Sequence, residues 1–285
     1  DTMITGTRYQ LQREISRQMR LASDMARAQM EISAGGNRIL APSDDPIGAA
    51  RVAEITRNQA NSAAWKANLN AAAALSSNAE GVLDTMVSAF DRVNELMLAA
   101  SNGTLSAENK QAAALEIESI ASEIATLRDT QDSRGAFLFP PAAQAILIPV
   151  GENLEIAAVG KQEVIFNLFI PPSTARPLTT VLSDAVAALR ANDPAAIAAS
   201  LAQTNQASTH VIAAQAEQGA RGARIDALAD RLLSNELGLK EEKSAVQDVN
   251  ISELLASISA KKLSLDAAQA VFARVNQSTL FDLLR

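Results

Sequence analysis

The segment from Asn250 to Arg285 carries four apolar residues at successive seven-residue steps, Ile251, Ile258, Leu265 and Phe272. A helix with this repeat presents a continuous seam to a partner helix, as in a coiled coil. No proline interrupts the segment, so the pattern predicts one long helix. A second line, four positions further on, continues the seam with mixed polarity: Leu255, Lys262 and Gln269.

Other apolar residues of this segment point around the whole predicted helix, at about 100° per residue. Leu263 and Phe281 fall to one side of the seam, and Val271 and Val275 fall nearly opposite it. One partner helix cannot cover all of these side chains. Because a helix that is apolar all round must be buried on several sides, we expect cover from elsewhere in the chain and from other subunits.

The N-terminal segment has a matching repeat, which makes it the first candidate partner. Its two lines of seam residues are Ile4, Leu11, Gln18, Met25 and Ile32, with Ile15, Ala22 and Gln29 four positions on. The two ends are therefore predicted to form one coiled coil; the alternative is that each is an ordinary amphipathic helix on a globular core. The predicted assembly interface comprises Ile4, Leu11, Ile15, Met25, Ile32, Ile251, Leu255, Ile258, Leu265, Phe272, Leu280 and Leu284.

Composition favours long helices over a sheet enzyme. The 285 residues are 48% apolar but only 3% aromatic, which suits helices packed through small side chains. The net charge of −7 disfavours nucleic acid and anionic membranes as partners. The chain has no cysteine, which excludes disulfides, thiolate metal sites and cysteine nucleophiles.

The start of the chain, Asp1 to Gly6, lacks the apolar run of a signal peptide, and no run of about 18 apolar residues occurs anywhere. We therefore expect neither a cleaved signal peptide nor membrane insertion. A protein of this kind that leaves the cytoplasm would need another export route.

The first helix is predicted over residues 7–33, ending at Gly35 and Gly36, which supply the positive φ of a helix end. The link that follows closes with Ser43-Asp44-Asp45-Pro46. This is a helix-start signal, because a Ser or Asp side chain accepts free amides and proline fits the first helical position. The alternative interpretation is a metal site at the paired aspartates, which no nearby histidine or further carboxylate cluster supports.

The sequence pattern in the middle of the chain predicts a helical bundle interrupted by a small β insert. Helices are expected at 47–100, at 106–130, and from about 180 with a restart at Asp193-Pro194. Extended runs lie between them, among them Leu154-Glu155-Ile156 and Val164-Ile165-Phe166 on either side of a turn at Gly160.

The predicted fold class is mainly α: a long-helix antiparallel bundle with N- and C-terminal helices forming a coiled coil, plus a small β insert. Three domains are predicted, with boundaries set by the change of pattern. They are a terminal coiled coil at 1–40 with 248–285, a helical bundle at 41–137 with 178–247, and the insert at 138–177.

Catalytic chemistry is not indicated by the sequence. The single histidine, His210, has no paired acid or hydroxyl at a matching spacing, and the glycines form no phosphate-binding motif. We expect no enzyme activity, no cofactor and no metal.

Several motifs, taken in order, resemble the flagellin superfamily of bacterial axial proteins, and within it the hook-filament junction branch. Residues 32–39, ISAGGNRI, are similar to a superfamily segment, and Pro42-Ser43-Asp44-Asp45-Pro46 followed by Ile47-Gly48-Ala49-Ala50 resembles the junction form. Further similar segments are 102–106, 129–139, 219–228 and 278–284. The resemblance covers about residues 1–139 and 211–285, and it departs at Pro140-Pro141 and in the short insert.

The resemblance implies a structural subunit, exported to the flagellum through the flagellar type III apparatus without cleavage. The implied partners are FlgK and flagellin, neighbouring copies of the chain in a ring, and an export chaperone before secretion; no nucleic acid and no membrane insertion are implied. Two alternatives stay open, a short filament-forming flagellin and a surface adhesin acting through residues 140–177.

Overall fold

The computed structural model describes residues 2–103, 105–132, 134–144, 146–170 and 174–282, with side chains undescribed at 2–8, 10, 11, 170, 174 and 275–282. Long helices dominate this part of the chain, so the mainly α prediction is confirmed. The helices are α1 (Thr2–Ser33), α2 (Pro46–Ser101), α3 (Ala107–Arg128), α4 (Gln162–Ile165), α5 (Leu178–Ala191), α6 (Pro194–Gln247) and α7 (Ile251–Asp282).

The small β insert predicted between the bundle helices is also present. It holds two antiparallel hairpins, in which β1 (Ile148–Pro149) pairs with β2 (Glu155–Ile156) and β3 (Asn167–Ile170) pairs with β4 (Thr174–Pro177). The extended conformation predicted for Val164-Ile165-Phe166 is wrong, because its first two residues belong to the single turn of α4. Ile165 and Phe166 are buried there, so tertiary packing overrides their β propensity.

Local sequence signals explain where the helices start and stop. The Ser106 hydroxyl accepts the Asn109 amide at 3.2 Å at the start of α3, and the Asp193 carboxylate accepts the Ala195 amide at 2.9 Å at the start of α6. These bonds satisfy amides that have no partner inside the helix. After α1, Gly35 and Gly36 take φ of 78° and 85°, a left-handed conformation that glycine adopts at little cost.

The chain forms two compact units, Asp1–Gln59 with Glu236–Arg285, and Ala60–Asn235. The second unit holds the main apolar core, built from α2, α3, α5 and α6. Its fully buried side chains include Leu83, Met86, Phe90, Ile117, Ile124, Leu182, Leu189 and Val211. The three-domain division predicted from the sequence stays a prediction.

The insert is held to the bundle helices by apolar and polar contacts. Phe139 and Phe166, both in the insert, pack edge to face with ring centroids 5.4 Å apart, and both are part of the main apolar core with residues of the bundle helices. Gln218 of α6 is buried, and its amide group donates to the Ser76 hydroxyl and the Ala158 carbonyl, both at 2.9 Å. Its oxygen accepts the Gly160 amide at 3.2 Å. All of these polar groups are therefore satisfied inside the protein.

A second polar contact fixes the start of the insert. Both oxygens of Glu163 accept the backbone amide of Ala142, at 3.0 and 2.8 Å. This hydrogen bond favours the ionised carboxylate and lowers the pKa of Glu163 from its ordinary value.

Gly81 lies in the middle of α2, and a Cβ added there would meet nothing within 4 Å. Gly81→Ala is therefore expected to raise the free energy of unfolding by about 0.5–1 kcal/mol, because alanine loses less conformational entropy in a helix. Urea unfolding followed by circular dichroism measures the change.

Gly222 of α6 is the matched contrast. A Cβ there would lie 2.7 Å from Oε1 of Glu80 and 3.3 Å from the Ser76 hydroxyl, so Gly222→Ala should gain less or lose stability. Equal effects of the two substitutions would contradict the packing described for these helices.

Candidate assembly interface

The two ends of the chain, α1 and α7, pack against each other. Most of the half-buried or buried positions described on α1 alternate by three and four residues, as a coiled-coil seam requires: Glu14, Gln18, Leu21, Met25, Ala28 and Ile32, whereas Glu31, beside Ile32, is also buried. The same alternation recurs on α7, at Leu254, Ile258, Lys261, Leu265, Ala268 and Phe272. Each helix thus presents one apolar seam with polar interruptions to the other.

One line of each predicted seam lies in this contact, and the second line does not. Met25, Ile32, Ile258, Leu265 and Phe272 are half-buried as the heptad repeat predicted. The second line follows three residues later instead of four, which brings in Leu21, Ala28, Lys261 and Ala268. The sequence held a signal for this register, because on α1 the line three residues on is more apolar than Ala22 and Gln29.

The remaining predicted interface residues are exposed or lie outside the described part of the chain. Ile15, Ile251 and Leu255 are 42%, 48% and 51% exposed. The side chains of Ile4, Leu11 and Leu280 and the whole of Leu284 are not described. Their place in an assembly interface stays a prediction.

Both helices also carry large apolar side chains on faces that the seam leaves open. Met19 and Met30 of α1 are 69% and 55% exposed, and Leu263 and Val271 of α7 are 72% and 63% exposed. Leu263 lies two residues before Leu265, about 200° around the helix. The helix pair therefore leaves apolar faces uncovered on both of its members.

The link between α1 and α2 ends in an acidic cap. Oδ1 of Asp45 accepts the Gly48 amide at 2.9 Å, and Pro46 is the first residue of α2. A Cβ at Gly48 would lie 2.6 Å from Oδ2 of Asp45 and 2.7 Å from Cδ1 of Ile39. Glycine is therefore needed for the close approach of the cap.

Asp44 organises the link itself. Its Oδ2 accepts the Leu40 and Ala41 amides at 3.2 and 2.9 Å, and its Oδ1 lies 3.3 Å from the Arg27 guanidinium of α1. The two aspartates therefore have separate structural tasks. In the described part of the chain, no group of three or more His, Cys, Asp or Glu residues is arranged to hold a metal ion.

The two links, one before α2 and one after α6, run beside each other. The Arg38 amide donates to the Gln247 carbonyl at 2.7 Å, and the Val249 amide donates to the Gly36 carbonyl at 2.8 Å. Asn37 and Asp248 form an antiparallel bridge between these bonds. We call residues 36–38 with 247–249 the clasp.

The Arg38 side chain strengthens this contact. Its Nη2 donates to Oδ2 of Asp45 at 3.3 Å and to the Val246 carbonyl at 3.1 Å. Arg38 thus connects the cap of α2 to the end of α6, although Arg38 and Val246 are 208 positions apart. Residues near Arg38 in the sequence do not indicate this role, since the partners come together only in the fold.

A neighbouring ion pair joins the two helices directly. Arg51 of α2 binds Glu242 of α6 and Glu54 of its own helix. Hydrogen bonding first to Glu242 and then to Glu54 raises the pKa of Arg51 above its ordinary value. Because the groups are exposed, we assign the pair little stabilising energy.

Replacing both Asp44 and Asp45 by alanine is expected to lower the free energy of unfolding by about 1–2 kcal/mol, because the link and the first turn of α2 lose their amide acceptors. Ser43→Ala, at an exposed neighbour, is the control and should change stability little. Divalent metal should not alter the thermal midpoint of the parent protein. A metal-dependent rise would contradict the capping role and favour the metal interpretation.

His210 has a structural contact in the second unit. Its Nε2 lies 2.9 Å from the Val164 carbonyl and 3.2 Å from the Ile165 carbonyl, both in α4. A protonated Nε2 donates to these carbonyls and holds α4 against α6. Among the described residues, no helix is long and apolar enough to cross a membrane.

Comparison with known proteins bears on the role of these terminal helices. Residues 8–142, which hold most of α1, the link, α2 and α3, match the bacterial flagellin N-terminal helical region. The resemblance to the flagellin superfamily is confirmed. The chain is also similar to flagellar hook-associated protein 3 of Escherichia coli strain K12, with 24% identity over 283 residues, 87% of this chain and 89% of the relative.

Solved structures of flagellar proteins share the fold of this chain. A Vibrio parahaemolyticus structure described as a flagellar hook-associated protein has a TM-score of 0.64 at 18% identity, covering 72% of this chain and all of that one. FlgL of Xanthomonas campestris has a TM-score of 0.57 at 16% identity, covering 67% and 99%.

The curated relatives place the chain among the structural proteins of the bacterial flagellum. They are hook-associated and flagellin-family proteins and not enzymes, which confirms the expectation that the chain is not an enzyme.

Proposed function

We propose that this protein joins the flagellar hook, through FlgK, to the flagellin filament, and that it assembles through α1 and α7. The observation that carries the proposal is the pair of uncovered apolar faces on these helices, with Met19 69% and Leu263 72% exposed. Large exposed apolar side chains grouped on one element are typical of protein interfaces.

The geometry favours neighbouring copies of the chain as one cover for these faces. The α1–α7 seam is satisfied within one chain, whereas Ile15, Met30, Leu255 and Val271 are all more than 40% exposed. In a ring, an open face of each copy would pack against a different face of the next copy around the axis. FlgK and flagellin would then cover the two ends of the ring.

The chain is proposed to reach this location outside the cell by the flagellar export apparatus, without a cleaved signal peptide. An export chaperone is proposed to cover the apolar faces before secretion. The proposal predicts that the protein isolated from the cytoplasm carries a stoichiometric partner that is absent after export.

A short filament-forming flagellin is the nearest alternative. The names of the relatives, hook-associated protein 3 in both curated cases, favour the junction. Purified protein incubated with filament seeds distinguishes the two, because a flagellin should extend long filaments and a junction protein should not.

The decisive experiment is deletion of the gene in its own host and imaging of the flagella. Loss of filaments with hooks retained, and flagellin shed into the medium, is the expected result. Complementation by the intact gene should restore filaments. Normal filaments in the deletion strain would overturn the proposal.

A further inference from the structure

The apolar seam between α1 and α7 does not by itself define one alignment. Ile258, Leu265 and Phe272 are seven residues apart and all apolar, so a slip of one heptad would still place apolar side chains opposite α1. Such a slip moves the helices by about 10 Å along their axes. Coiled coils avoid it by means of specific polar or geometric features.

The clasp sets an antiparallel alignment of the two segments, and this alignment continues into α1 and α7. Within it, Asn37 lies opposite Asp248. Asp24 lies thirteen residues before Asn37, Lys261 lies thirteen residues after Asp248, and Nζ of Lys261 is 3.8 Å from Oδ2 of Asp24. The backbone bonds of the clasp and the distant ion pair therefore obey one antiparallel register.

The Arg38 side chain adds two hydrogen bonds to the backbone bonds of the clasp. It reaches Asp45, which is itself fixed at the start of α2, and the Val246 carbonyl at the end of α6. Asp45 caps α2 from the residue before the helix begins, and Val246 belongs to α6, so the clasp cannot slide without breaking these bonds. The Lys261–Asp24 pair, partly exposed and 3.8 Å apart, is too weak alone to hold a register.

We propose that Arg38 is a positioning residue that sets the register of α1 against α7 by locking the clasp. The role concerns the alignment of the terminal helices and does not depend on which flagellar partner covers them. Arg51 provides a matched comparison, since it also connects α2 to the end of α6 through an exposed ion pair but makes no bond to the clasp.

The absence of cysteine from the chain allows the register to be read by disulfide formation. The clasp register places Ala28 of α1 opposite Ser257 of α7, nine residues from Asn37 and from Asp248 respectively. Ser264 occupies the same heptad position one repeat later. The full-length pairs Ala28→Cys with Ser257→Cys, and Ala28→Cys with Ser264→Cys, therefore report the native and the slipped alignment.

Each pair is placed in the parent, Arg38→Ala, Arg38→Lys and Arg51→Ala backgrounds and oxidised at low protein concentration. Intrachain disulfide is measured on non-reducing gels, with circular dichroism to show that the bundle is folded. In the parent and in Arg51→Ala, the native pair should form its disulfide at least about tenfold faster than the slipped pair, because a disulfide needs Cα atoms within about 7 Å. In Arg38→Ala the preference should fall to about threefold or less.

Arg38→Lys should restore the preference for the native cysteine pair. The lysine ammonium group can reach both Oδ2 of Asp45 and the Val246 carbonyl, which Nη2 of Arg38 contacts. An unchanged preference in Arg38→Ala would overturn the proposal, as would an equal loss in Arg51→Ala. Equal rates for the two pairs in the parent would overturn the register itself. None of these results alters the imaging test of the junction role, so the two proposals fail separately.

Discussion

Cells that carry Leu265→Asp are expected to export a folded protein but to lose their filaments. Leu265 is half-buried in the seam of α7, and an assembled ring would exclude water from it further. A carboxylate there costs at least several kcal/mol per subunit unless the site opens to water. Flagellin in the culture medium and electron microscopy of the cells measure the effect.

In the isolated chain the same substitution should loosen only the terminal pair, because Leu265 is partly accessible there and loses about 1–2 kcal/mol of burial. The core of the second unit should melt as in the parent. Ser264→Asp places the same charge on an exposed neighbour and should leave filaments intact. Normal filaments with Leu265→Asp would show that the seam is not used in assembly.

Phe139→Ala is expected to lower the free energy of unfolding by about 3–5 kcal/mol, because it empties a fully buried aromatic site. Phe139 is 0% exposed and packs on Phe166 of the insert. The loss should remove much of the contact between the insert and the bundle. Denaturant unfolding and the thermal midpoint measure it.

Phe137 is the matched control, two residues earlier and 43% exposed. Phe137→Ala should cost about 1 kcal/mol or less, since less of its surface leaves water on folding. If the two alanine variants were equally stable, the placement of Phe139 in the core would be contradicted.

Sequence periodicity predicted the helices and one line of the terminal seam, because a heptad repeat is a local property of each helix. It did not decide between Leu21 and Ala22 as the next seam position, since three and four residues are both allowed steps. Ser43-Asp44-Asp45-Pro46 predicted a helix start from chemistry that acts within a few residues. Both patterns act over a short range along the chain.

The failures depend on contacts between distant segments. Val164-Ile165-Phe166 reads as a strand, yet α4 forms there against α6, where His210 contacts its carbonyls. Arg38 lies within the ISAGGNRI segment, but its acceptor Val246 is 208 positions away. No local pattern could reveal these partners, because each is defined by the tertiary fold.

The clasp joins the link before α2 to the link after α6, so the lengths of the two links depend on each other. One residue inserted into either link would turn the adjoining terminal helix by about 100° and move its seam off its partner, while the other link stayed in place. A change of length in one link is therefore tolerable only with a compensating change in the other. Exchange of terminal helices between related proteins should carry both links across together.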